Sequence, residues 1–194
     1  MGKIITISRE FGSGGRTIGR KVAEKLGIPC YDHELIEKIA KESGLDTGYI
    51  KEHGESSGQF SWLTNAFNAG KSAQDYMWVI QCEVIDKLAK DGTCVIVGRC
   101  ADYILQDKVA LLKVFIHADI NARAKRVVEV YGETDVKPLQ RVKTKDKQRM
   151  SYYHFYTDRQ WGDAHNYDIS LDSETVGIDK CVDIICDLYD RSGE

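Results

Sequence analysis

The sequence predicts an α/β fold in which a parallel sheet is flanked by helices. Segments with a strand pattern alternate along the chain with amphipathic helical segments, the order that parallel sheets require. Two strand segments, residues 93–97 and 111–117, are apolar enough to be buried on both faces. A glycine-rich loop at residues 12–15 joins the first strand segment to the first helical segment. With 194 residues, the chain can form one such domain with a sizeable core.

The first part of the chain contains two strand segments and one clear helix. Residues 3–8 alternate and are rich in isoleucine, which indicates a strand. The apolar residues of 16–26 lie on one helical face, and residues 30–31 form a short extended piece. Asp32 is a candidate N-cap for a following helix. Residues 43–70 are irregular and punctuated by glycine, and we interpret them as an insert rather than a second domain.

The rest of the chain continues the alternation. Residues 73–90 form a long amphipathic helix that leads into strand 93–97. After strand 111–117, Asp119 is expected to cap a helix that runs through Val130. Residues 132–138 form a turn region, and residues 139–156 form a helix that is first basic and then aromatic. A short strand at residues 167–171 and a helix at residues 177–189 follow.

Composition excludes several classes of protein. The net charge is −3, so no global basic surplus points to nucleic acid as a partner. No apolar run approaches the roughly 18 residues of a membrane helix, and we expect no signal or transit segment. The six cysteines show no C-x-x-C pairs and several lie in apolar runs, which favours buried free thiols over disulfides or a metal site. We therefore expect a cytoplasmic protein.

The glycine-rich loop has the layout of a phosphate-binding site. Backbone N–H groups of residues 12–15 can converge on an anion, and the dipole of the following helix favours negative charge. In the pattern G-x-x-x-x-G-K-[ST], however, the first glycine falls on Arg9 and the lysine falls on Gly15. Arg16 comes next, and Thr17 offers the hydroxyl that would reach a magnesium ion. The alternative is a glycine-rich turn that only joins strand to helix.

Two further features carry arginine where a phosphate would need it. Strand 93–97 ends in Gly98-Arg99, which places Arg99 at the carboxyl edge of the sheet, where open α/β sheets bind ligands. Two predicted helices carry a local excess of basic residues: Arg123, Lys125, Arg126, Arg141, Lys143, Lys145, Lys147 and Arg149. A basic helical hairpin suits a lid that closes over phosphates. The alternatives are a solvated surface charge at Arg99 and a solvated helix face.

With these pieces in this order, nearly the whole chain resembles the cytidylate kinase-like group of nucleoside monophosphate kinases. The loop with its flanking strand and helix resembles that family's first strand–loop–helix. Residues 31–38 look like its monophosphate-binding segment, and Val97-Gly98-Arg99 looks like its Asp-Gly-Arg motif. Asp146 and Arg149 fall on its Asp-x-x-Arg lid element, and residues 168–173 resemble its last strand.

The resemblance implies a three-layer P-loop kinase fold over residues 1–194, with a helical acceptor-binding insert at about 43–70 and a lid at about 119–156. It implies that the donor phosphates of ATP are held by Gly12, Ser13, Gly14, Gly15, Arg16 and Thr17. It implies acceptor contacts from Asp32, His33, Lys38, Arg99 and Asp146. It implies that the moving phosphoryl group is neutralised by Arg16, Arg99, Arg123, Arg126 and Arg149, and that Thr17 helps to hold Mg²⁺.

The chain departs from the family pattern at several of these positions. Gly15 replaces the P-loop lysine, and Arg16 is the candidate substitute. Val97 replaces the acid of Asp-Gly-Arg, with Asp102 the nearest other acid, and Cys100 replaces its second acid. The first arginine of the lid element falls on Val142.

Two functional hypotheses follow. The first is a phosphotransferase that moves the γ-phosphoryl group of ATP to CMP or another small acceptor. The retained arginines favour it, because a scaffold needs no phosphate-facing lid. The second is a non-catalytic nucleotide-binding module, which the losses at Gly15 and Val97 favour. In both cases the expected partner is a small nucleotide or phosphorylatable metabolite, with no nucleic acid and no membrane.

Overall fold

The structure, a computed structural model, describes residues 3–32, 71–132 and 137–191. Its strands are β1 (Ile4–Arg9), β2 (Cys30–Tyr31), β3 (Val95–Val97), β4 (Leu111–His117) and β5 (Ile169–Asp172). Its helices are α1 (Gly15–Leu26), α2 (Lys71–Asp91), α3 (Ala101–Ile104), α4 (Ile120–Glu129), α5 (Pro138–Thr157) and α6 (Ile178–Arg191). A 3₁₀ turn spans Ala164–Asn166.

The strands form one parallel sheet in the order β2-β3-β1-β4-β5. β1 lies in the centre, where Ile7 is in register with Val97 of β3 and Val114 of β4. All carboxyl ends therefore meet at one edge of the sheet. Arg9, the last residue of β1, pairs with Ile116 of β4, and His117, the last residue of β4, pairs with Asp172 of β5. This edge carries the glycine-rich loop and the Gly98-Arg99 turn.

Helices cover both faces of the sheet, so the fold has three layers. Ile5 and Ile7 of β1 point into a buried cluster that includes residues of α1 and α6. Ile4 and Ile96 point the other way, into a cluster with α2, α3 and Tyr153 of α5. This alternation places successive residues of each strand in different cores, as strand geometry requires. The predicted three-layer α/β architecture is confirmed.

Most predicted elements lie within a residue or two of the observed ones. Asp119 caps α4 as expected, accepting hydrogen bonds from the N–H groups of Asn121 and Ala122. The four-residue helix α3 was not predicted, because it is too short to show a helical period. The helix expected after Asp32 and the insert at 43–70 lie outside the described residues. The single-domain interpretation therefore stays a prediction.

The state of the cysteines agrees with the free thiols expected from the sequence. All six cysteines are free, and Cys94, Cys100, Cys181 and Cys186 are buried. Burial raises the pKa of the Cys94 thiol to about 12, so it stays protonated at neutral pH. Within the ranges that the structure describes, no helix has the length and apolar character needed to span a bilayer.

Candidate phosphate-binding site

Residues 10–14, which include most of the glycine-rich loop, form a tight turn between β1 and α1. Gly12 and Gly14 both have left-handed backbones, with φ near 80° and 81°. A Cβ on Gly12 would lie 2.7 Å from the carbonyl oxygen of Arg123, and one on Gly14 would lie 2.6 Å from Cδ1 of Ile178. No side chain caps the start of α1 at Gly14. The start of α1 thus has the uncapped backbone that anion-binding helix N-termini use.

The hydroxyl groups of two serines fix the position of the loop through hydrogen bonds to backbone carbonyls. Ser13 donates its Oγ–H to the carbonyl of Glu10 at 2.9 Å. Ser173, just beyond β5, lies 2.5 Å from the carbonyl oxygen of Ser13 and 3.2 Å from that of His117. Ser173 is almost fully buried. It therefore ties the middle of the loop to the ends of β4 and β5. Nothing in its sequence context distinguished it from an ordinary residue after a strand.

Arg123 of α4 and Asp146 of α5 hold the loop from above. Arg123 donates to the carbonyls of Ala118 at 3.0 Å and Phe11 at 3.1 Å. Its Nε lies 3.2 Å from Glu10 and its Nη1 lies 2.5 Å from Asp146. Asp146 also accepts a 2.8 Å hydrogen bond from the N–H of Phe11. In this structure both side chains bind the loop backbone, while their expected roles at a substrate stay predictions.

Arg126 lies over the mouth of the loop. Its Nη1 is 3.3 Å from the position that a Cβ on Gly14 would take. Among the described residues, no acidic side chain forms an ion pair with it. An arginine beside the glycine loop without a carboxylate partner among the described residues has the charge and geometry that suit a phosphate.

Arg149 of α5 contacts the residues that lead into the same loop. Its Nη1 donates to the carbonyl of Arg9 at 2.9 Å. Its guanidinium also lies over the ring of Phe11, 5.4 Å from the centroid. Arg123, Asp146 and Arg149, all in the predicted lid, thus contact the segment from Arg9 to Phe11.

Arg16 and Thr17 lie on the first turn of α1, and both are exposed. Arg16 pairs through Nε with Oδ2 of Asp32, at the end of β2. Nη2 of Arg9 lies 3.8 Å from the other oxygen of Asp32. The structure thus brings Arg16 together with the predicted acceptor residue Asp32. His33 and Lys38, the other predicted acceptor contacts on this side, lie outside the described residues.

The turn after β3 has an unusual backbone. Gly98, Arg99 and Cys100 all have left-handed φ values, of 79°, 61° and 55°. For residues other than glycine such a backbone costs about 1–3 kcal/mol each, and it recurs at functional sites. Gln81 of α2 supports the turn, because its Nε2 donates to the carbonyl of Arg99 at 2.9 Å. The hydroxyl of Tyr152 on α5 donates to the other end of Gln81 at 2.9 Å.

Packing explains two of the departures from the family pattern. Val97, at the position of the missing acid, is buried against α1, and a Cβ on Gly19 would lie 2.8 Å from its Cγ2. A carboxylate there would be buried without a partner. Val142, at the position of the first lid arginine, is buried between α4 and α5. Both positions belong to the hydrophobic core.

Asp102, the acid nearest to Val97 in the sequence, does not replace the motif acid that is missing at Val97. Its side chain is 4% exposed and accepts a 2.7 Å hydrogen bond from the hydroxyl of Tyr153. Burial raises the pKa of this carboxyl group, although the Tyr153 hydrogen bond opposes the rise. Asp102 therefore acts as a buried hydrogen-bonding partner in the core beneath α3.

A magnesium ion fits this site only with help from a ligand. Across residues 3–32, 71–132 and 137–191, no three histidine, cysteine or acidic side chains converge as metal ligands. Mg²⁺ in nucleotide sites, however, commonly takes most of its ligands from phosphates and water. The exposed hydroxyl of Thr17, on the turn that follows the glycine loop, is compatible with that arrangement.

Four residues of the site were not among the predicted ones: Arg9, Glu10, Gln81 and Ser173. Arg9 carried a signal, because an arginine stood where the P-loop pattern has its first glycine. The structure places Arg9 between the glycine loop and the Gly98 turn. Taken together, the site can bind a polyphosphate at the loop and present several arginines to it.

Known proteins resemble this chain over most of its length. The sequence model of the family described as "Cytidylate kinase-like family" matches residues 4–175. The cytidylate kinase of Methanothrix thermoacetophila is 26% identical over 171 residues, which cover 88% of each chain. That of Archaeoglobus fulgidus is 25% identical over 186 residues, covering 93% of this chain and 91% of the relative.

Solved structures extend the comparison. An uncharacterized protein from Eubacterium ventriosum superposes with a TM-score of 0.74 at 33% identity, covering 96% of this chain and 98% of that one. Shikimate kinase from Acinetobacter baumannii gives a TM-score of 0.56 at 15% identity, covering 99% and 94%. Deoxyadenosine kinase from M. mycoides gives 0.54 at 13% identity, covering 97% and 99%. The last two similarities support the fold alone.

Proposed function

Because this chain belongs to the cytidylate kinase-like family, we propose that it transfers the γ-phosphoryl group of ATP to a nucleoside monophosphate such as CMP. Family membership establishes the coarser statement, a kinase-type phosphotransferase that acts on a nucleotide or another small substrate. ATP as donor and CMP as acceptor are the proposal. The observation that carries it is Arg126, which lies over the glycine loop without a carboxylate partner among the described residues.

The residues of the site would act mainly by positioning and charge neutralisation. In the reaction, the bond from the γ-phosphorus to the β–γ bridging oxygen breaks, and a bond to an oxygen of the acceptor phosphate forms. Little covalent work falls to the protein in such a transfer. We propose that the N–H groups of residues 12–16 hold the donor phosphates and that Arg126 neutralises charge on the moving group. Arg99, on its left-handed turn, would hold the acceptor phosphate.

Arg16, Arg123 and Arg149 would contribute from the edges of the site. In this structure Arg16 is paired with Asp32, so donor binding would exchange that carboxylate for phosphate. Arg123 and Arg149 bind the loop backbone and would maintain its curvature under the nucleotide. Asp146 and Asp32 would face the acceptor, with His33 and Lys38.

Thr17 would help to hold Mg²⁺, together with oxygens of the bound nucleotide. The ion would supply charge neutralisation between the β- and γ-phosphates. Thr17 is exposed at the first turn of α1, which would leave its hydroxyl accessible to a ligand. We further propose a cytoplasmic setting, since all six thiols are free, and a small-molecule partner rather than nucleic acid.

An acceptor screen tests the proposal. The protein is incubated with ATP, Mg²⁺ and a panel of nucleoside monophosphates and small hydroxylated metabolites, and ADP formation is followed. We expect acceptor-dependent ADP release, with CMP among the active acceptors. Arg126→Ala should lower turnover by about 10²-fold, the scale for one preorganised charge contact. Lys125→Ala is the matched control, because Lys125 is exposed on the same helix and pairs only loosely with Glu129.

A nucleotide-binding module without catalysis is the second candidate. One observation favours it: Gly15 and Val97 are built into tight packing, so the P-loop lysine and the motif acid are lost structurally as well as in sequence. Saturable ATP binding without turnover on any acceptor would support this second candidate and contradict the kinase.

A further inference from the structure

The P-loop lysine is missing at Gly15, and the space around that position is filled by Arg9. We propose that Arg9 takes the place of this lysine and contacts the transferring phosphoryl group from the far side of the loop. The inference rests on the proposed function, because it assigns a role within that same site. Three observations carry it: the packing of Arg9 on Gly15, the position of its guanidinium at Gly98, and the charge balance around Asp32.

The first observation is an exchange of two positions in the loop pattern. The pattern has glycine where this chain has Arg9, and lysine where this chain has Gly15. In the fold these two residues touch. A Cβ on Gly15 would lie 2.5 Å from Cβ and 2.9 Å from Cγ of Arg9. The stem of Arg9 therefore occupies the space in which a side chain at position 15 would begin. The positively charged side chain of this chain therefore stands at position 9 instead of position 15, and the two positions are in contact.

The second observation is where the side chain ends. A Cβ on Gly98 would overlap Nη1 of Arg9 and would lie 3.0 Å from its Cζ. Gly98 has a left-handed backbone and directly precedes Arg99. The Arg9 side chain thus runs from Gly15, where its stem packs, to Gly98, where its guanidinium lies beside the turn that carries the proposed acceptor arginine. With the donor at the loop and the acceptor at Arg99, as proposed, this guanidinium would lie between them.

The third observation is the charge balance among the described residues. Within residues 3–32, 71–132 and 137–191, Asp32 is the one carboxylate that pairs with Arg9, at 3.8 Å, and it also pairs with Arg16. Two guanidinium groups therefore share one carboxylate. The side chains of Arg9 and Asp32 are only 14% and 15% exposed, so water screens this pair poorly. A cation in such surroundings favours an additional anion, and a phosphate oxygen would supply it.

Arg9 and Arg16 differ in the role that their surroundings allow. Arg16 has a side chain 48% exposed, on the outer face of α1, whereas Arg9 is largely enclosed between the loop and the Gly98 turn. The enclosed guanidinium of Arg9 can adopt fewer conformations, so it is better preorganised for the charge that develops on the transferring phosphoryl group. Arg16 would bind the outer side of the donor phosphates.

A reciprocal exchange tests the assignment. Four proteins are compared with the wild type: Arg9→Gly, Gly15→Lys, the double variant that carries both changes, and Arg20→Ala as a matched control on the exposed face of α1. Each is assayed for ADP formation with the best acceptor. Direct ATP binding is measured by calorimetry, and thermal unfolding checks that each variant is folded.

We expect Arg9→Gly to lower kcat by about 10²–10³-fold, as for loss of one preorganised charge contact. Gly15→Lys alone should also be impaired, because its Cβ would overlap Arg9. The double variant should recover at least tenfold over Arg9→Gly, since the overlap with Arg9 is gone and the next nearest atom, Cβ of Ile116, is 3.3 Å away. Arg9→Gly with wild-type kcat and ATP affinity would overturn the inference, as would a folded double variant no better than Arg9→Gly.

The binding measurement separates this inference from the proposed function. If the wild type turns over no acceptor but binds ATP, the kinase proposal fails, and Arg9 is still tested: Arg9→Gly should weaken ATP binding by at least tenfold relative to Arg20→Ala. Unchanged affinity in that case would contradict the role of Arg9. A wild type that binds no ATP would overturn both.

Discussion

Replacing Arg123 by methionine would leave two carboxylates, Glu10 and Asp146, beside the phosphate loop without their shared cation. The Arg123 side chain is only 6% exposed and contacts both, so the remaining charges would be poorly solvated. Removing one partner of a buried ion pair typically costs about 3–5 kcal/mol. The variant also loses the hydrogen bonds to Ala118 and Phe11. We therefore expect Arg123→Met to lie at the upper end of that range.

Asp146→Asn should lower the free energy of unfolding by less than Arg123→Met, although it breaks the ion pair between the same two residues. Glu10 still neutralises Arg123 after this change, and the asparagine oxygen can still accept the N–H of Phe11. The loss is then one charge-assisted hydrogen bond, about 1.5–3 kcal/mol. The structure thus predicts an order, Arg123→Met more destabilising than Asp146→Asn, rather than equal effects of two halves of one pair.

Urea unfolding followed by circular dichroism at neutral pH would measure both free energies. Glu10 adds a pH signature. Burial raises the pKa of Glu10, while Arg123 lowers it. Loss of the arginine in Arg123→Met should therefore raise the pKa of Glu10 further. The cost of Arg123→Met should therefore shrink as the pH falls and Glu10 becomes protonated. Equal costs for the two variants, or a cost of Arg123→Met that is independent of pH, would refute the reasoning.

Three further predictions follow from single contacts. Gly19→Ala should destabilise the protein by about 1–3 kcal/mol, because its Cβ would lie 2.8 Å from Val97, and Val97→Ala in the same chain should recover most of the loss in urea unfolding. The raised pKa of Asp102 means that the native state holds this proton more tightly than the unfolded state. Stability should therefore fall as the pH rises from 3.8 through the native pKa, and urea midpoints of Asp102→Asn should lack this component. Arg126→Ala should leave the unfolding free energy within about 0.5 kcal/mol of wild type while ATP binding weakens, because Arg126 has no acidic partner among the described residues.

The fold could be predicted from sequence because its signals are local. The isoleucines of β1 and the seven-residue run of β4 set strand periods, and Asp119 marks the start of α4 with a residue that caps helices. The alternation of these segments then selects a parallel sheet, with few other arrangements available. Short elements such as α3 escape this reasoning, since four residues cannot show a helical period.

The sequence placed candidate site residues on particular elements but could not predict their contacts. Glycines and arginines at strand ends announced phosphate binding, yet no spacing rule says that Arg123 would pair with Glu10 and Asp146, more than a hundred residues away in one case. The proposed role of Arg9 depends on its contacts with Gly15 and Gly98, which exist only in the folded chain. Gln81 and Ser173 act on backbone carbonyls, so their positions follow from the three-dimensional packing alone.

The hydrogen bonds of Gln81 join the Arg99 turn to α5. One end of the amide donates to the carbonyl of Arg99, and the other accepts from the hydroxyl of Tyr152 on α5. If the Arg99 turn binds the acceptor and α5 moves as part of a lid, as proposed, a ligand that stabilises one arrangement of the turn would also favour one position of α5. By thermodynamic linkage the effect must be mutual: if acceptor binding favours a closed position of α5 by some factor, closure of α5 raises acceptor affinity by the same factor. A single buried glutamine would then set how strongly the two events cooperate.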